Sequence, residues 1–232
     1  MGKIGTKEVK TGGGFMSKTI LPGEHVLKIN SIELVRYPFM EKDKGYFLTL
    51  NMETKPIDGF EGFLIDKDSG EDGPRYAGQI GQIKTNRYFY KDGKTKSGID
   101  VVRDVDILKQ LKDICIATDS LEWFESVDNK FDTIEELIED LNKVKPFEGV
   151  YLRVCVAGKE FERNNGYIGH DLFLPKYNRG FVSIEPENAE PSKLTKYNEA
   201  EHLEKKAVET VKNFGDESDL PDLTEGAPEF DI

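Results

Sequence analysis

Residues 84 to 96, KTNRYFYKDGKTK, set three consecutive rings, Tyr88, Phe89 and Tyr90, among lysines and an arginine. Aromatic faces beside flexible cations are what an unpaired nucleic-acid strand needs, because bases stack on rings while Lys and Arg neutralise phosphates. Between Arg75 and Lys96 stand six bases (Arg75, Lys84, Arg87, Lys91, Lys94 and Lys96) against the one acid Asp92, in a chain of formal net charge −12. Side chains alternate direction along a strand, so three rings in a row cannot all enter one core. At least one faces outward unless a second layer covers the sheet. An edge strand whose lysines deter aggregation carries a similar pattern.

A second stretch, 151 to 181, interleaves Arg153, Lys159, Arg163, Lys176 and Arg179 with Tyr151, Phe161, Tyr167, Phe173, Tyr177 and Phe181. Parity puts Tyr151 and Arg153 on one face and Val150, Leu152 and Val154 on the other. One face is core and the other has the makings of a binding surface. Base stacking is expected from some of Tyr88, Phe89, Tyr90, Tyr151 and Tyr167. Lys84, Arg87, Lys91, Lys94, Lys96 and Arg153 are the expected phosphate contacts.

The chain ends on GDESDLPDLTEGAPEFDI, which holds seven acids (Asp216, Glu217, Asp219, Asp222, Glu225, Glu229 and Asp231) and no base. Without it 37 acids face 32 bases, so much of the acidity belongs to the tail. High acid content with scattered Pro and Gly predicts disorder over 215–232. Its charge suits competition with nucleic acid for a basic groove, and its apolar residues, Phe230 and Ile232 at the very end, suit docking in a basic-rimmed pocket of a partner.

Signals for catalysis are sparse. The chain has no Walker loop, no Gly-x-Ser-x-Gly elbow and no Rossmann glycine pattern, and His25, His170 and His202 are too widely spaced for a zinc site. Cys115 and Cys155 lie in apolar contexts and read as buried thiols. The expectation is a non-enzymatic binder with no cofactor. No apolar run approaches the ~20 residues of a membrane span, and the start lacks the apolar centre of a secretory signal, so the expected setting is the cytoplasm.

The elements that must position these residues follow from periodicity. Residues 1–23 read as a flexible arm ending at Pro22-Gly23. From Glu24 the apolar positions change phase, Leu27 and Ile29 on one parity and Ile32 and Leu34 on the other, which predicts a β-bulge near Asn30-Ser31. GYFLTLNMET alternates as a half-buried strand, with Tyr46, Leu48, Leu50 and Met52 on one side. A short third strand is expected at 59–66, and Asp92-Gly93 signals a hairpin. Helices are predicted over 104–117, burying Ile107, Leu108, Leu111, Ile114 and Cys115, and from Thr133, where Glu136 completes a capping box and Val144 closes the apolar face. Strands return at 150–156 and 167–175 around an Asn165-Gly166 turn. A last helix is expected from Asn198 to 214, carrying Leu203, Ala207, Val208 and Val211.

This order predicts a mainly β, α+β fold: an OB-fold-like five-stranded barrel spanning 24–185, with a helical insertion of about 103–146 between its third and fourth strands. A linker and helix would fill 186–214.

Taken together, KIGTKEVKTGGGF, GFEGFLIDKD, GQIGQIKTNRYFYKDGKTKSGI, VCVAGKEF and DLFLPKYNRG resemble the single-stranded DNA-binding proteins of crAss-like and related tailed bacteriophages. The resemblance covers most of residues 1–185. It implies an OB-fold that coats single-stranded DNA during replication, recombination and repair in the host cytoplasm, and an acidic tail that recruits replication or recombination proteins. Self-association is compatible with it. The best-known bacterial tail ends in a proline-phenylalanine pair, whereas this chain ends PEFDI. The alternative from another class is an acidic protein-binding adaptor, or a mimic of DNA charge, that binds no nucleic acid.

Overall fold

The computed structural model describes residues 18–36, 45–58, 76–95, 97–164, 166–176 and 183–206. Its first long strand, β1 (Gly23–Val35), changes phase where the sequence does: the register against β2 (Phe47–Thr54) slips between Ile29 and Ser31. The bulge turns both Ile29 and Ile32 into the core although their spacing is odd. It also lets β1 serve two partners. Its first half pairs antiparallel with β6 (Tyr151–Glu162), and the stretch from Leu27 onward with β2.

β3 (Ile80–Lys84) pairs antiparallel with β2. A small hairpin, β4 (Gly93–Lys94) with β5 (Asp100–Val101), then leads into α1 (Arg103–Ala117), α2 (Leu121–Ser126) and α3 (Ile134–Val144). After β6 the chain reverses into β7 (Ile168–Phe173), which meets β3 in parallel at Lys84 and Phe173. The ring β1-β2-β3-β7-β6 therefore closes on β1 as a five-stranded mixed barrel with its helices between the third and fourth strands. This is the OB-fold-like α+β architecture. Leu27, Ile32, Leu48, Leu50, Ile83, Leu152 and Val154 fill the barrel and share one core with Ile107, Leu111, Ile114, Leu141 and Phe147 of the helical layer. Trp123 and Phe124 pack against it.

The helix signals act locally as expected, with limits. Thr133 accepts from the Glu136 amide at 3.2 Å, and the Glu136 carboxylate accepts from Asp132 N. Asn142 on α3 pairs with both backbone groups of Ile32, tying the helix to the bulged strand. Val144 is exposed rather than buried, and Leu108 is exposed as well. Asp92 is not the hairpin turn. It accepts from Arg103 N at 2.8 Å and so satisfies an amide at the start of α1, while the turn falls between β4 and β5.

Three other expectations change. The third barrel strand is β3, and the segment predicted for it, 59–66, lies outside the described residues. β2 is not half-buried: Phe47, Thr49 and Glu53 on its outer side are buried too, with Glu53 held by Lys28, Asn30 and the Ala77 amide. The stretch expected as linker and long helix is part of the sheet. β8 (Ile184–Pro186) pairs with β6, α4 (Glu199–His202) lasts one turn after its Asn198 cap, and β9 (Leu203–Glu204) joins β6 in parallel. Ala207, Val208 and Val211 lie outside the described residues. Among the described residues no helix is long and apolar enough to cross a membrane.

Candidate nucleic-acid interface

Past Lys84 the chain leaves the sheet and is pinned again five residues later. Thr85 N donates to Leu48 O, and Tyr90 exchanges backbone hydrogen bonds with Tyr46. The Thr85 and Tyr90 hydroxyls lie 2.9 Å apart inside the core. With both ends fixed, residues 86–89 bow outward. Gly45 makes the anchoring possible, since a Cβ there would stand 2.2 Å from Tyr90 O and 2.7 Å from the Phe89 ring.

This geometry separates the three rings. Tyr88 is 65% exposed, Phe89 is half-buried, and Tyr90 is 6% exposed. Burial pushes the Tyr90 hydroxyl far above its ordinary pKa, with the Thr85 hydrogen bond opposing. Tyr90 is a core residue and offers no face to a base, which corrects the expectation for it. Tyr88 and Tyr90 share parity, yet one points out and one in, because residues 85–89 form a looping bend rather than a strand.

Around Tyr88 and Phe89 the structure gathers rings and cations from several elements. Phe89 meets Phe47 edge to face at 6.0 Å, and Lys91 lies 5.6 Å from the Phe89 centroid. Lys84 sits 4.3 Å over Phe47, and Arg87 lies between Tyr88 at 5.6 Å and Phe173 at 5.9 Å. Farther along the β6–β7 hairpin, Phe161 lies across Gly169, where a Cβ would meet both its ring and the Arg163 guanidinium at 2.7 Å. Phe161 is exposed. Tyr167 is 73% exposed beside the hairpin turn, where Arg163 N donates to Tyr167 O.

Carboxylates already hold several of these cations. Lys84, itself buried, pairs with Asp171 at 2.7 Å. Glu204 on β9 bridges the 86–91 loop and β6, pairing with Arg87 and, at 2.8 Å, with Lys159. The Lys159 hydrogen bond, with Arg87 adding to it, holds the Glu204 carboxyl below its ordinary range. Lys94 pairs with Asp100 at 3.2 Å, both well exposed. Lys96 and the tail residues Asp216, Glu217, Asp219, Asp222, Glu225, Glu229, Phe230, Asp231 and Ile232 lie outside the described residues.

Tyr151 and Arg153 do not belong to this cluster. They sit at the other end of β6, Arg153 about 20 Å and Tyr151 about 26 Å along the strand from Lys159. Arg153 donates to Glu187 O and Ala189 O, and Tyr151 carries Lys55 over its ring at 5.1 Å. β8 lies beside this part of β6 in the sheet, and residues 187–202 form a second layer over it. Ser183 exchanges hydrogen bonds with Cys155, whose thiol lies 3.6 Å from His202 Nδ1. Burial, with Glu24 adding to it, pushes Cys155 up to about 12, and burial lowers His202, so the pair is a neutral structural contact and not an activated nucleophile. The expected binding surface at Arg153 is thus a covered face.

Sequence reasoning singled out Phe161, Phe173, Lys159 and Arg163 in the alternating stretch 151–181 without assigning them a stacking or phosphate contact, and it did not place Phe47 in the site. A signal existed for Phe47 and Phe173: each is a large ring on the polar parity of an alternating strand. Asp171 and Glu204 gave none, since their pairing depends on which strands meet. No protein-family model, curated protein or solved structure matches the chain. Among the described residues no group of His, Cys, Asp or Glu is arranged to hold a metal ion.

Proposed function

We propose that the protein binds single-stranded DNA without sequence preference on the outer surface formed by the 86–91 loop and the ends of β3 and β7, doing no chemistry on it. The observation that carries this reading is a pair of neighbouring ring-and-cation groups on an OB-fold-like barrel: Arg87 between Tyr88 and Phe173, and Phe89, backed by the buried Phe47, beside Lys91. Stacking on an exposed ring accepts any base and contributes about 1–3 kcal/mol per base. Asp171 and Glu204 occupy the cations in the unbound protein, and phosphates would replace them there. The role in view is coating strands during phage replication, recombination and repair in the host cytoplasm, with the acidic end docking partner proteins.

Titration of fluorescent oligo(dT) and of a duplex of equal length over a salt series tests this. The expected result is tighter binding of oligo(dT), with log affinity falling linearly as log salt rises. Equal affinity for duplex, or affinity indifferent to salt, would contradict it. Failure to bind either would favour the protein-binding adaptor.

A further inference from the structure

Beside Phe89 lies a cleft of about 570 Å³ between the 86–94 loop, α1 and Lys176, which shares Phe89 and Lys91 with the strand surface described above and otherwise lies beyond it. Small ligands occupy cavities of about 300–1,000 Å³, so the space suits one nucleotide rather than a length of chain. Four lysines, Lys91, Lys94, Lys109 and Lys176, line it against Asp106 and Asp113. The formal excess is two positive charges.

These lysines differ in their commitments. Lys109 is paired with Asp106 at 2.9 Å on the same helix, and Lys94 leans on Asp100. Lys176 turns its ammonium toward a neutral group, the Tyr90 hydroxyl 3.4 Å away. Burial lowers its pKa while Asp106 and Asp113 oppose the shift, and burial raises Asp113 against Lys176 and Lys112. Lys176 is exposed at the cleft wall, and an ammonium whose hydrogen-bond partner is a neutral hydroxyl stays open to an anion. A phosphate monoester brings a charge of about −1.5 to −2, matching the excess, whereas an internal phosphodiester brings half as much. Phe89, half-buried, lines the same cleft and offers ring surface to a base.

We infer that this cleft binds a nucleoside through its phosphate monoester, the dianion lying among Lys91, Lys94 and Lys176 and the base against Phe89. That chemistry has two sources: a free mononucleotide, and the phosphorylated end of a strand. The second rests on the strand-binding reading above and the first does not.

Calorimetric titration of the full chain with dTMP, thymidine and inorganic phosphate tests the inference. The expected result is dTMP binding about tenfold more tightly than either fragment. Lys176→Met should weaken dTMP about tenfold and Asp113→Asn should tighten it about threefold, with circular dichroism unchanged. Should Lys176→Met misfold, Lys91→Met carries the same expectation. If dTMP binds no better than thymidine, or no better than phosphate, or if the lysine variants match wild type, the inference fails.

Oligo(dT) carrying a 5′-phosphate, a 3′-phosphate or neither separates the sources. A terminal phosphate that tightens binding, with the gain lost in Lys176→Met, assigns the strand end. One that changes nothing while dTMP binds assigns the free nucleotide. If dTMP binds and no oligonucleotide does, the cleft stands and the strand-binding reading falls. If unphosphorylated oligo(dT) binds and dTMP does not, the reverse holds.

Discussion

Two stretches of this barrel carry the same kind of sequence and end in opposite states. At Arg153 the outer face of β6 is covered by residues 187–202, Tyr151 beside it is half-buried under Lys55, and Arg153 spends its guanidinium on two backbone carbonyls. At 86–91 the chain bows away from the sheet and Tyr88 stands in solvent. Alternation of rings and cations therefore decides which side of a strand is polar, and the path of the later chain decides whether that side meets solvent or protein.

The comparison is broken most strongly at the two tyrosines. Tyr90→Ala removes a buried ring and should cost about 3–5 kcal/mol of stability, read by denaturant unfolding. Tyr88→Ala should leave stability within about 0.5 kcal/mol. If the two variants unfold alike, the division between core and surface ring is wrong.

Next in size are the two functions assigned to exposed and covered groups. Tyr88→Ala should weaken oligo(dT) binding by about 1–3 kcal/mol. Arg153→Ala leaves two carbonyls without their donor and should lower stability by about 1–3 kcal/mol, with oligo(dT) affinity of the folded protein unaltered. An Arg153 variant that is stable but binds weakly would return the covered face to the site.

Glu204→Gln gives a smaller effect of opposite sign. Freed of their carboxylate, Arg87 and Lys159 should bind oligo(dT) more tightly, with a salt slope steeper by about one. A looser complex would mean that Glu204 positions those cations rather than competing for them.

The smallest effect is expected from pH. Burial holds His25 and His202 below their ordinary pKa, opposed by the Leu21 backbone contact and by Glu201 respectively. The unfolded chain takes up these protons near pH 6.5 and the folded chain does so lower. Stability is thus complete above about 6.5 and declines as pH falls toward the folded values. Asn198 N donates to His202 Nδ1, so protonation there competes with a contact of the covering layer. Hydrogen-exchange protection of the Leu203 and Glu204 amides, corrected for the slower intrinsic exchange at lower pH, should fall between pH 7.5 and 5.5 while that of residues 86–89 stays constant.

Much of the barrel was legible because its signals are local. The parity slip at Asn30-Ser31 is the register shift itself, and Thr133 with Glu136 caps α3 as written. β3 was not legible: it carries Ile80 and Ile83 among Gly and Gln, and Gly81 gives way to the Ile20 side chain, so alternation never develops. The helix from Asn198 stops after one turn because Leu203 joins the sheet, a tertiary choice that a capping signal does not foresee. The site shows the same boundary. Parity rules out three inward rings, yet it does not say which one stays outside, because the segment is a pinned loop. Phe161 and Phe173 are brought into play by strand pairing, and Glu204 reaches Arg87 across the sheet from 117 positions away.

Ultraviolet cross-linking of oligo(dT) to the full chain, with adducts mapped by peptide mass spectrometry, tests the division between open and covered faces most directly. The account predicts adducts at Tyr88 and Phe89 that diminish as salt rises. Adducts concentrated at Tyr151 or within 183–202, with Tyr88 untouched, would contradict it.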